Sequence, residues 1–394
     1  MKANAACLEV FWAFLRLGLT SFGGPIAHLS YFRADLVERR RWIDEAAFAD
    51  LVALCQFLPG PASSQVGFAL GLHRAGLCGG FAAWLGFTLP SALALVAFAY
   101  GLSALGDLAH RPWLHGLKIV AVAVVAQAVW MMAKSLCPDR PRATLAALAA
   151  ALALAVPSSG GQIAAIVAGG LFGLFYLADA ATPQPAPHLP WRRGAIAAAV
   201  AFVALLFGLP VLAQATESHA IDLFDAFYRA GALVFGGGHV VLPLLQQAVV
   251  PPGWINADAF LAGYGAAQAV PGPLFSFAAF LGAAMIGSPN GLFGALLCLV
   301  AIYLPSCLLV LAVLPYWSDL RARPEAQGAL KGVNAAVVGL LLAALYNPVW
   351  TGAIFSARDF GLAVLAFLLL AVWKTPPWAV VILGALAASL AAAV

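Results

Sequence analysis

Charged side chains are scarce in this 394-residue chain, where Asp, Glu, Lys and Arg together make up 9% of the residues. A soluble domain carries about 25%, so these charges cannot cover the surface of a water-soluble protein. Hydrophobic residues make up 63% of the chain, and this composition indicates an integral membrane protein. The 20 basic and 16 acidic residues leave a thinly spread net charge of +4. We therefore expect no basic stripe and no nucleic-acid partner.

Motifs for metals, nucleotides and catalysis are also missing. Six cysteines stand singly, without a C-x-x-C pair: Cys7, Cys55, Cys78, Cys137, Cys298 and Cys307. We interpret them as packing residues and expect no metal site. The G-x-x-x-x-G-K-[ST] phosphate loop and magnesium-binding aspartate clusters are absent from the sequence. A nucleophile at Ser63 or Ser276 would need a positioned histidine, which a sequence cannot show. We predict neither an enzyme nor a bound cofactor.

Long apolar runs fix the fold class. They extend for about 20 residues or more without alternation, as membrane helices require, whereas barrel strands alternate over about 10 residues. We predict an all-α polytopic membrane protein with broken helices and about 13 apolar segments. The segments lie near 8–31, 47–72, 76–105, 114–136, 143–157, 160–178, 194–214, 222–249, 258–287, 290–317, 328–346, 359–373 and 376–394. Whether some of them are re-entrant stays open.

The chain contains an internal repeat. Phe22-Gly23-Gly24 returns as Phe235-Gly236-Gly237 after 213 residues, and Pro59-Gly60-Pro61 returns as Pro271-Gly272-Pro273 after 212. Leu89-Pro90-Ser91 likewise returns as Leu304-Pro305-Ser306. So many ordered matches at nearly one offset predict two homologous helical repeats. We assign residues 1–178 and 222–394 to them, with a Pro-rich linker and one connecting transmembrane helix over 179–221.

The two repeats are expected to be inverted in the membrane. Six segments and one connecting span would place seven membrane crossings between equivalent residues of the two repeats. Because seven is odd, the second repeat would have the opposite orientation in the membrane. The loop with Arg33, Arg39, Arg40 and Arg41 is basic, whereas its counterpart at 251–258 has no Lys or Arg. Basic loops prefer the cytoplasm. Other basic residues, among them Arg192 and Arg321, would lie outside in this arrangement, and a re-entrant segment would change the parity.

The repeated Pro-Gly-Pro breaks are the first candidates for a binding site. Pro59 and Pro61 stop a helix, and Pro61 suits the first position of the next one. The free N–H groups of a helix N-terminus would then face the break and favour an anion. The candidate residues at the two breaks are Gly60, Ala62, Ser63, Ser64, Gly272 and Ser276, with the repeated Gln56 and Gln268 just before them. The alternative is a kink that only packs.

The glycine pairs form a second pair of breaks. Gly23-Gly24 and Gly236-Gly237 allow positive φ and close approach of a backbone or an anion, and tight helix packing is the alternative. His28 and His239 follow these breaks, but the repeat aligns them with Val241 and Ile26. They are secondary candidates, as proton carriers or as ordinary polar packing residues.

Four basic residues recur in apolar segments. Arg16 returns as Arg229 and Lys118 returns as Lys331. A buried guanidinium costs at least about 2.5 kcal/mol and usually has a partner or a function. We expect Arg16 and Arg229 to line an anion pathway, with snorkelling as the alternative, and Lys118 and Lys331 are secondary candidates. The apolar segments lack a central Asp or Glu, which favours an anionic substrate.

These motifs resemble the chromate ion transporter (CHR) family. The resemblance rests on Ser21-Phe22-Gly23-Gly24-Pro25, on the run from Gln56 to Gly67, and on Gly86-Phe87-Thr88-Leu89-Pro90-Ser91. It covers nearly the whole chain, as in a long two-domain member of the family. It implies a bacterial inner-membrane carrier that exports chromate, a tetrahedral dianion like sulfate, and so confers chromate resistance. Oppositely oriented halves are implied as well.

The resemblance leaves several alternatives open. An outward-moving dianion gains about 4.6 kcal/mol per 100 mV of inside-negative potential, so proton exchange is compatible with export but not required. Sulfate or another oxyanion could be the physiological substrate. An anion channel or a membrane scaffold is the alternative from another class. Besides the oxyanion, the expected partner is the lipid bilayer, and both a coupling proton and a homodimer stay open.

Overall fold

The computed structural model describes residues 2–104, 112–178 and 192–391, and they form an all-helical chain. The first half and the connecting segment contain eight α-helices: α1 (Lys2–Thr20), α2 (Gly24–Phe32), α3 (Glu45–Phe57), α4 (Ala62–Ala104), α5 (Pro112–Leu136), α6 (Arg140–Ala155), α7 (Ser159–Tyr176) and α8 (Arg192–Ala215). A π-helical turn, Arg33–Arg39, continues α2.

The second half repeats this order. Its helices are α9 (His219–Ala232), α10 (Val241–Val249), α11 (Ala257–Ala267), α12 (Phe277–Ala284), α13 (Gly291–Val313), α14 (Trp317–Arg321), α15 (Pro324–Ala344), α16 (Ala357–Ala371) and α17 (Pro377–Ala391). Three short 3-10 turns precede α10, α12 and α14, and a π-helical turn extends α15: Gly238–Val240, Leu274–Ser276, Leu314–Tyr316 and Leu345–Trp350.

Six helical stretches in the described residues are long and apolar enough to cross a membrane. They are Ala62–Ala104, Pro112–Leu136, Ser159–Tyr176, Gly194–Ala215, Gly291–Tyr316 and Pro324–Trp350. The prediction of an all-α polytopic membrane protein with broken helices is therefore confirmed.

Four of the about 13 predicted apolar segments are interrupted in the structure. The segments near 8–31, 47–72, 222–249 and 258–287 each contain a break between two helices. The breaks lie where the sequence places glycine or Pro-Gly-Pro, because neither can continue a helix. Residues 179–191 of the predicted Pro-rich linker lie outside the described residues.

The helices that flank the breaks begin at repeated caps. Asp44 accepts a hydrogen bond from the N–H of Ala47 at the start of α3. Asn256, 212 residues later, accepts one from Ala259 at the start of α11. A short polar side chain at this position satisfies an N–H group that has no partner inside the helix. The same local chemistry therefore starts the same helix in both halves.

Small residues let the long helices approach closely. A Cβ atom on Gly86 of α4 would lie 2.6 Å from the carbonyl oxygen of Phe11 in α1, and one on Gly18 would lie 2.7 Å from that of Phe87. Cys7 and Cys78 join the same two helices in a disulfide. The interpretation of all six cysteines as unpaired packing residues is wrong for this pair, which is 71 residues apart in sequence.

The two halves exchange their last helices. Helices α6 and α7 pack on α15 of the second half, whereas α16 and α17 pack on α5 of the first. Glycines line both contacts, as shown by Gly173, where a Cβ would lie 2.8 Å from the backbone nitrogen of Gly332, and Gly116, where it would meet Gly384 at 2.5 Å. Each half therefore completes the other, and the described helices form one interlocked bundle.

Two ion pairs between the halves lie on different pairs of helices. In one, Asp50 of α3 pairs with Arg321 and accepts a hydrogen bond from Trp317 of α14 at 3.1 Å. In the other, Lys118 of α5 contacts Asp258 of α11 at 2.9 Å. These contacts join α3 to α14 and α5 to α11, and so they help to hold the two halves together.

The close contact of α1 with α4 predicts an effect on stability. We expect Gly86→Ala to lower the free energy of unfolding by about 1–3 kcal/mol, because the new methyl group meets backbone that cannot move aside. Thermal unfolding of the purified protein in detergent measures this loss. Gly101→Ala in the same helix is the control, since no atom of the described residues lies within 4 Å of the point that its Cβ would occupy. Equal midpoints for the two variants would contradict the proposed packing role.

Candidate functional site

The two Pro-Gly-Pro breaks contact the opposite halves through a reciprocal pair of hydrogen bonds. The N–H of Gly60 donates to the carbonyl oxygen of Val234 at 2.6 Å, and the N–H of Gly272 donates to that of Ser21 at 2.9 Å. Gly60 and Gly272 are repeat equivalents, and so are Ser21 and Val234. We call each Pro-Gly-Pro turn a tip. Each tip is therefore hydrogen-bonded to the backbone just before the glycine break of the other half.

Glycine is required at both tips. Gly60 has φ +126° and Gly272 has φ +103°, a region that residues with a Cβ rarely adopt. A Cβ on Gly60 would also collide with the hydroxyl of Ser306, and one on Gly272 would lie 2.9 Å from the hydroxyl of Ser91. These serines belong to the repeated Leu-Pro-Ser motif, so the second contact is reciprocal too.

A cavity of about 50 Å³ lies between the tips and the glycine breaks of both halves. Its lining consists of small, proline and polar residues: Gly23, Gly24, Pro25, His28, Pro61, Ser63, Gly238, His239, Ala267, Gln268, Val270, Gly272, Pro273, Leu274, Phe275 and Pro377. One water occupies roughly 10–15 Å³ on a comparable measure. The cavity therefore has room for a few oxygen-sized groups.

Four helical segments begin at this cavity. They are α2 at Gly24, α4 at Ala62, and the 3-10 turns Gly238–Val240 and Leu274–Ser276 that lead into α10 and α12. The first N–H groups of a helix have no partner inside it, and each α-helical N-terminus carries about +0.5 of an elementary charge. The N-termini of α2 and α4 therefore place positive dipole ends beside the cavity.

Two histidines face the cavity, each beside a hydroxyl group. The Nδ1 atom of His28 lies 3.2 Å from the Oγ of Ser63, and the Nδ1 atom of His239 lies 2.8 Å from the hydroxyl of Tyr264. His28 is only 2% exposed, and its Nε2 atom has no partner among the described residues. The Nε2 atom of Gln268 is buried without a partner as well. Polar atoms at the cavity therefore have unused hydrogen-bonding capacity.

The candidate residues divide into those that line the cavity and those beside it. Seven of them line it: Gly23, Gly24, Ser63, Gly272, Gln268, His28 and His239. Five others form the breaks next to it, and these are Gly60, Ala62, Ser64, Gly236 and Gly237; Ser276 lies in the turn that leads into α12. Gln56 lies away from the cavity on an exposed position of α3.

The basic candidates lie elsewhere. Arg16 is on the exposed face of α1, which agrees with the snorkelling alternative rather than with a pathway residue. Arg229 contacts Asp225 at 2.5 Å and lines a different cavity of about 40 Å³. Asp225 is 3% exposed, and it lies near the start of its apolar segment rather than at the centre. Lys118 pairs with Asp258, and Lys331 reaches the carbonyl oxygen of Leu177 at 3.4 Å.

Several residues at the site are absent from the candidates, and three of them show why. Gly238 lines the cavity and directly follows the Gly236-Gly237 pair, so the run of three glycines is a signal that could have identified it. Tyr264 reaches His239 from α11, and Pro377 reaches the cavity from α17. No sequence pattern links these two to the breaks, because the exchange of helices between the halves brings Pro377 there.

Comparisons with known proteins agree with this architecture. A family model described as "Chromate transporter" matches residues 8–174 and 221–389, which is most of the chain. No solved structure matches the chain.

Several named relatives cover most of the chain. It is 31% identical over 341 residues to a "Chromate transport protein" of Pseudomonas aeruginosa, covering 84% of this chain and 79% of the relative. It is 28% identical to a "Chromate transport protein" of Cupriavidus metallidurans over 84% of this chain and 80% of that one. The "Probable chromate transport protein" of Synechococcus elongatus is 28% identical, with 84% and 82% covered.

The reciprocal contacts predict that the two tips tolerate no side chain. We expect Gly60→Ala and Gly272→Ala each to lower the free energy of unfolding by more than the roughly 1–2 kcal/mol of a left-handed conformation alone, since steric collisions add to it. Thermal unfolding in detergent measures the effect. Gly253→Ala is the control, because Gly253 has φ +78° but open space around its Cβ position. A tip variant as stable as the Gly253 variant would refute the contact.

Proposed function

The chain belongs to the chromate transporter family, and on that premise we propose that it exports chromate from the cytoplasm through the cavity between its two halves. The observation that carries this proposal is the convergence of two α-helical N-termini and two 3-10 turns on one cavity that both halves line. We propose residues 1–178 and 222–394 as the two repeats and 179–221 as their connection. The proposed location is the inner membrane of a bacterial cell.

The lining favours an anion over a cation. No Asp or Glu is among the described residues that line the cavity, and cation sites in membranes usually need one. Helix N-termini and hydroxyl groups donate hydrogen bonds to oxyanions. Ser63 and Gln268 offer side-chain donors on opposite repeats. A tetrahedral oxyanion could therefore receive hydrogen bonds from both halves at once.

The polar contacts support inverted repeats. Arg74 donates to Glu9 at 3.0 Å and lies over the ring of Trp42, three residues before the start of α3 at Glu45. Arg74 precedes the kink of α4 at Gly76, and the rest of α4, up to Ala104, extends for about 40 Å. The start of α5 then lies at the opposite face. Lys118, near the start of α5, contacts Asp258 at the start of α11. Since α11 is the repeat equivalent of α3, the two helices would begin at opposite faces of the membrane.

Inversion suggests how the cavity could open alternately. Transporters with inverted repeats rock one repeat against the other around a fixed site. In this chain the two tip hydrogen bonds are equivalent, so breaking one and keeping the other would open the cavity to one face only. The membrane potential would favour the outward movement of a dianion by about 4.6 kcal/mol per 100 mV. Export therefore needs no second energy source.

Transport assays test the proposed site. We expect everted membrane vesicles that contain the protein to take up labelled chromate. Gln268→Leu should raise KM by about ten- to a hundredfold, because a hydrogen bond to a charged group contributes about 1.5–3 kcal/mol. Gln56→Leu, its repeat equivalent outside the cavity, is the matched control and should leave KM unchanged.

The same assay separates the alternatives. Stronger competition by sulfate than by unlabelled chromate would identify sulfate as the preferred substrate. Ohmic single-channel currents in planar bilayers would identify a channel instead of a carrier. Equal KM values for the Gln268 and Gln56 variants would show that chromate does not bind in this cavity during transport.

Epitope tags test the inverted arrangement. We expect a short tag inserted in the loop at 40–44 to be accessible only from the cytoplasm, because this loop is basic. A tag at 251–256, the equivalent loop of the second half, should be accessible from the outside in intact spheroplasts. Antibody binding before and after permeabilisation measures both. Tags that are accessible from the same side would refute inversion.

A further inference from the structure

The cavity has two titratable side chains and no permanent cation. His28 comes from α2 and His239 from the glycine break of the second half, and both line the cavity. The repeat aligns them with Val241 and Ile26, so their meeting is not a consequence of the duplication. None of the described lining residues is Lys or Arg. A dianion in this cavity would therefore have only backbone dipoles, hydroxyls, an amide and neutral imidazoles around it.

Burial makes that charge imbalance costly. His28 is 2% exposed, and the described lining is dominated by glycine, proline and apolar residues. A buried charge is disfavoured unless it is paired and hydrogen-bonded. A nearby anion favours the charged form of histidine, whereas two like charges in one small cavity disfavour each other. The arrangement thus favours one proton on the histidine pair when a dianion is present.

We propose that the cavity takes an oxyanion dianion together with one proton, held by His28 or His239. This inference rests on the proposed function, because it concerns the same cavity and the same anion. The proton enters from solution on the side from which the anion binds, and it leaves with the anion on the other side. The charge moved per chromate then falls from two to one, and export against a high external proton concentration becomes less favourable.

The hydrogen-bond geometry suits both protonation states of His28. In the protonated ring Nδ1–H donates to the Oγ of Ser63, 3.2 Å away. The unpartnered Nε2–H is then free to donate to the anion. The Ser63 hydroxyl, which no longer donates to the ring, can donate to the anion as well. Protonation of His28 therefore adds one donor to the cavity: it releases the Ser63 hydroxyl if Nδ1 accepted from it, or adds Nε2–H if Nδ1 already carried the hydrogen.

His239 has an equivalent arrangement with Tyr264. Its Nδ1 atom lies 2.8 Å from the Tyr264 hydroxyl, which accepts a hydrogen bond when the ring is protonated. Tyr264 is the one other titratable group that the described contacts place against either ring. Around His28 the neighbours are Ser63, Ser21 and the ring of Phe87, with ring centroids 5.3 Å apart.

Lysines on the helices packed around the second glycine break are engaged elsewhere. Lys134 of α5 lies over the ring of Trp130 at 4.6 Å. Lys331 of α15 reaches the carbonyl oxygen of Leu177 at 3.4 Å. Another titratable group nearby, Tyr303 of α13, has its hydroxyl beside Ser64 of α4. The proton that accompanies the anion is therefore assigned to the histidine pair.

Equilibrium binding of labelled chromate tests the inference. We measure its dissociation constant for the purified full-length chain in detergent between pH 5 and pH 8. Because the complex holds one more proton than the free protein, affinity should fall as pH rises, by up to about tenfold per pH unit. The double variant His28→Gln/His239→Gln should keep only the part of this dependence that comes from the titration of free chromate, and should bind weakly at all pH values. Each single variant should keep part of it.

Two controls make the result specific. Chromate takes up protons itself, but this contribution is the same for every variant, so the difference between wild type and double variant isolates the protein. His73→Gln changes an exposed histidine of α4 outside the cavity and should leave the profile unchanged. A double variant with the wild-type profile would overturn the inference and leave chromate transport intact. A folded wild-type protein that binds no chromate at any pH would overturn the proposed function instead.

A second measurement needs no variant. Chromate added to the wild-type protein in weakly buffered solution near neutral pH should cause uptake of about one proton per bound anion, after correction for the titration of free chromate. Uptake of no proton would overturn the inference even if the double variant did not fold. Uptake of two protons would overturn its stoichiometry.

Discussion

The two hydrogen bonds from the Pro-Gly-Pro tips constrain how the two halves of the chain lie against each other. Gly60 binds the carbonyl oxygen of Val234, and Gly272 binds that of Ser21. Each bond joins a tip of one half to a break of the other, so neither half can close its own centre. Broken backbone at membrane depth needs partners inside the protein, and here the opposite half supplies them. The cavity is the space that remains between these four interrupted segments.

Ionised side chains are kept away from this centre. Asp50 with Arg321 and Lys118 with Asp258 link the halves far from the breaks, and Arg16 is exposed on α1. Burying an ion pair costs more desolvation energy than its attraction returns unless the geometry is very good. Backbone dipoles carry no such desolvation cost when helices form, and they can attract an anion without trapping it. A carrier must release its substrate, so this weaker attraction suits transport.

The sequence patterns predicted the breaks and many cavity residues, but they did not predict how the helices of the two halves pack together. The duplication, the breaks and the need for glycine follow from local chemistry, which is why seven candidate residues line the cavity. The fold-back of short helices and the exchange of α6–α7 with α16–α17 depend on packing between distant segments, which spacing does not encode. Gln56 and Gln268 show the limit. They are equivalent in the repeat, yet one is exposed and the other lines the cavity.

The difference between these glutamines indicates how a symmetric scaffold can hold an asymmetric site. Ser63 faces the cavity in the first half, and Phe275 takes its position in the second. His28 and His239 likewise replace apolar equivalents. Duplicated breaks fix the backbone and its dipoles in both halves, so the side chains between them are free to diverge without loss of the fold. One cavity with different donors on its two walls can favour one orientation of a bound oxyanion.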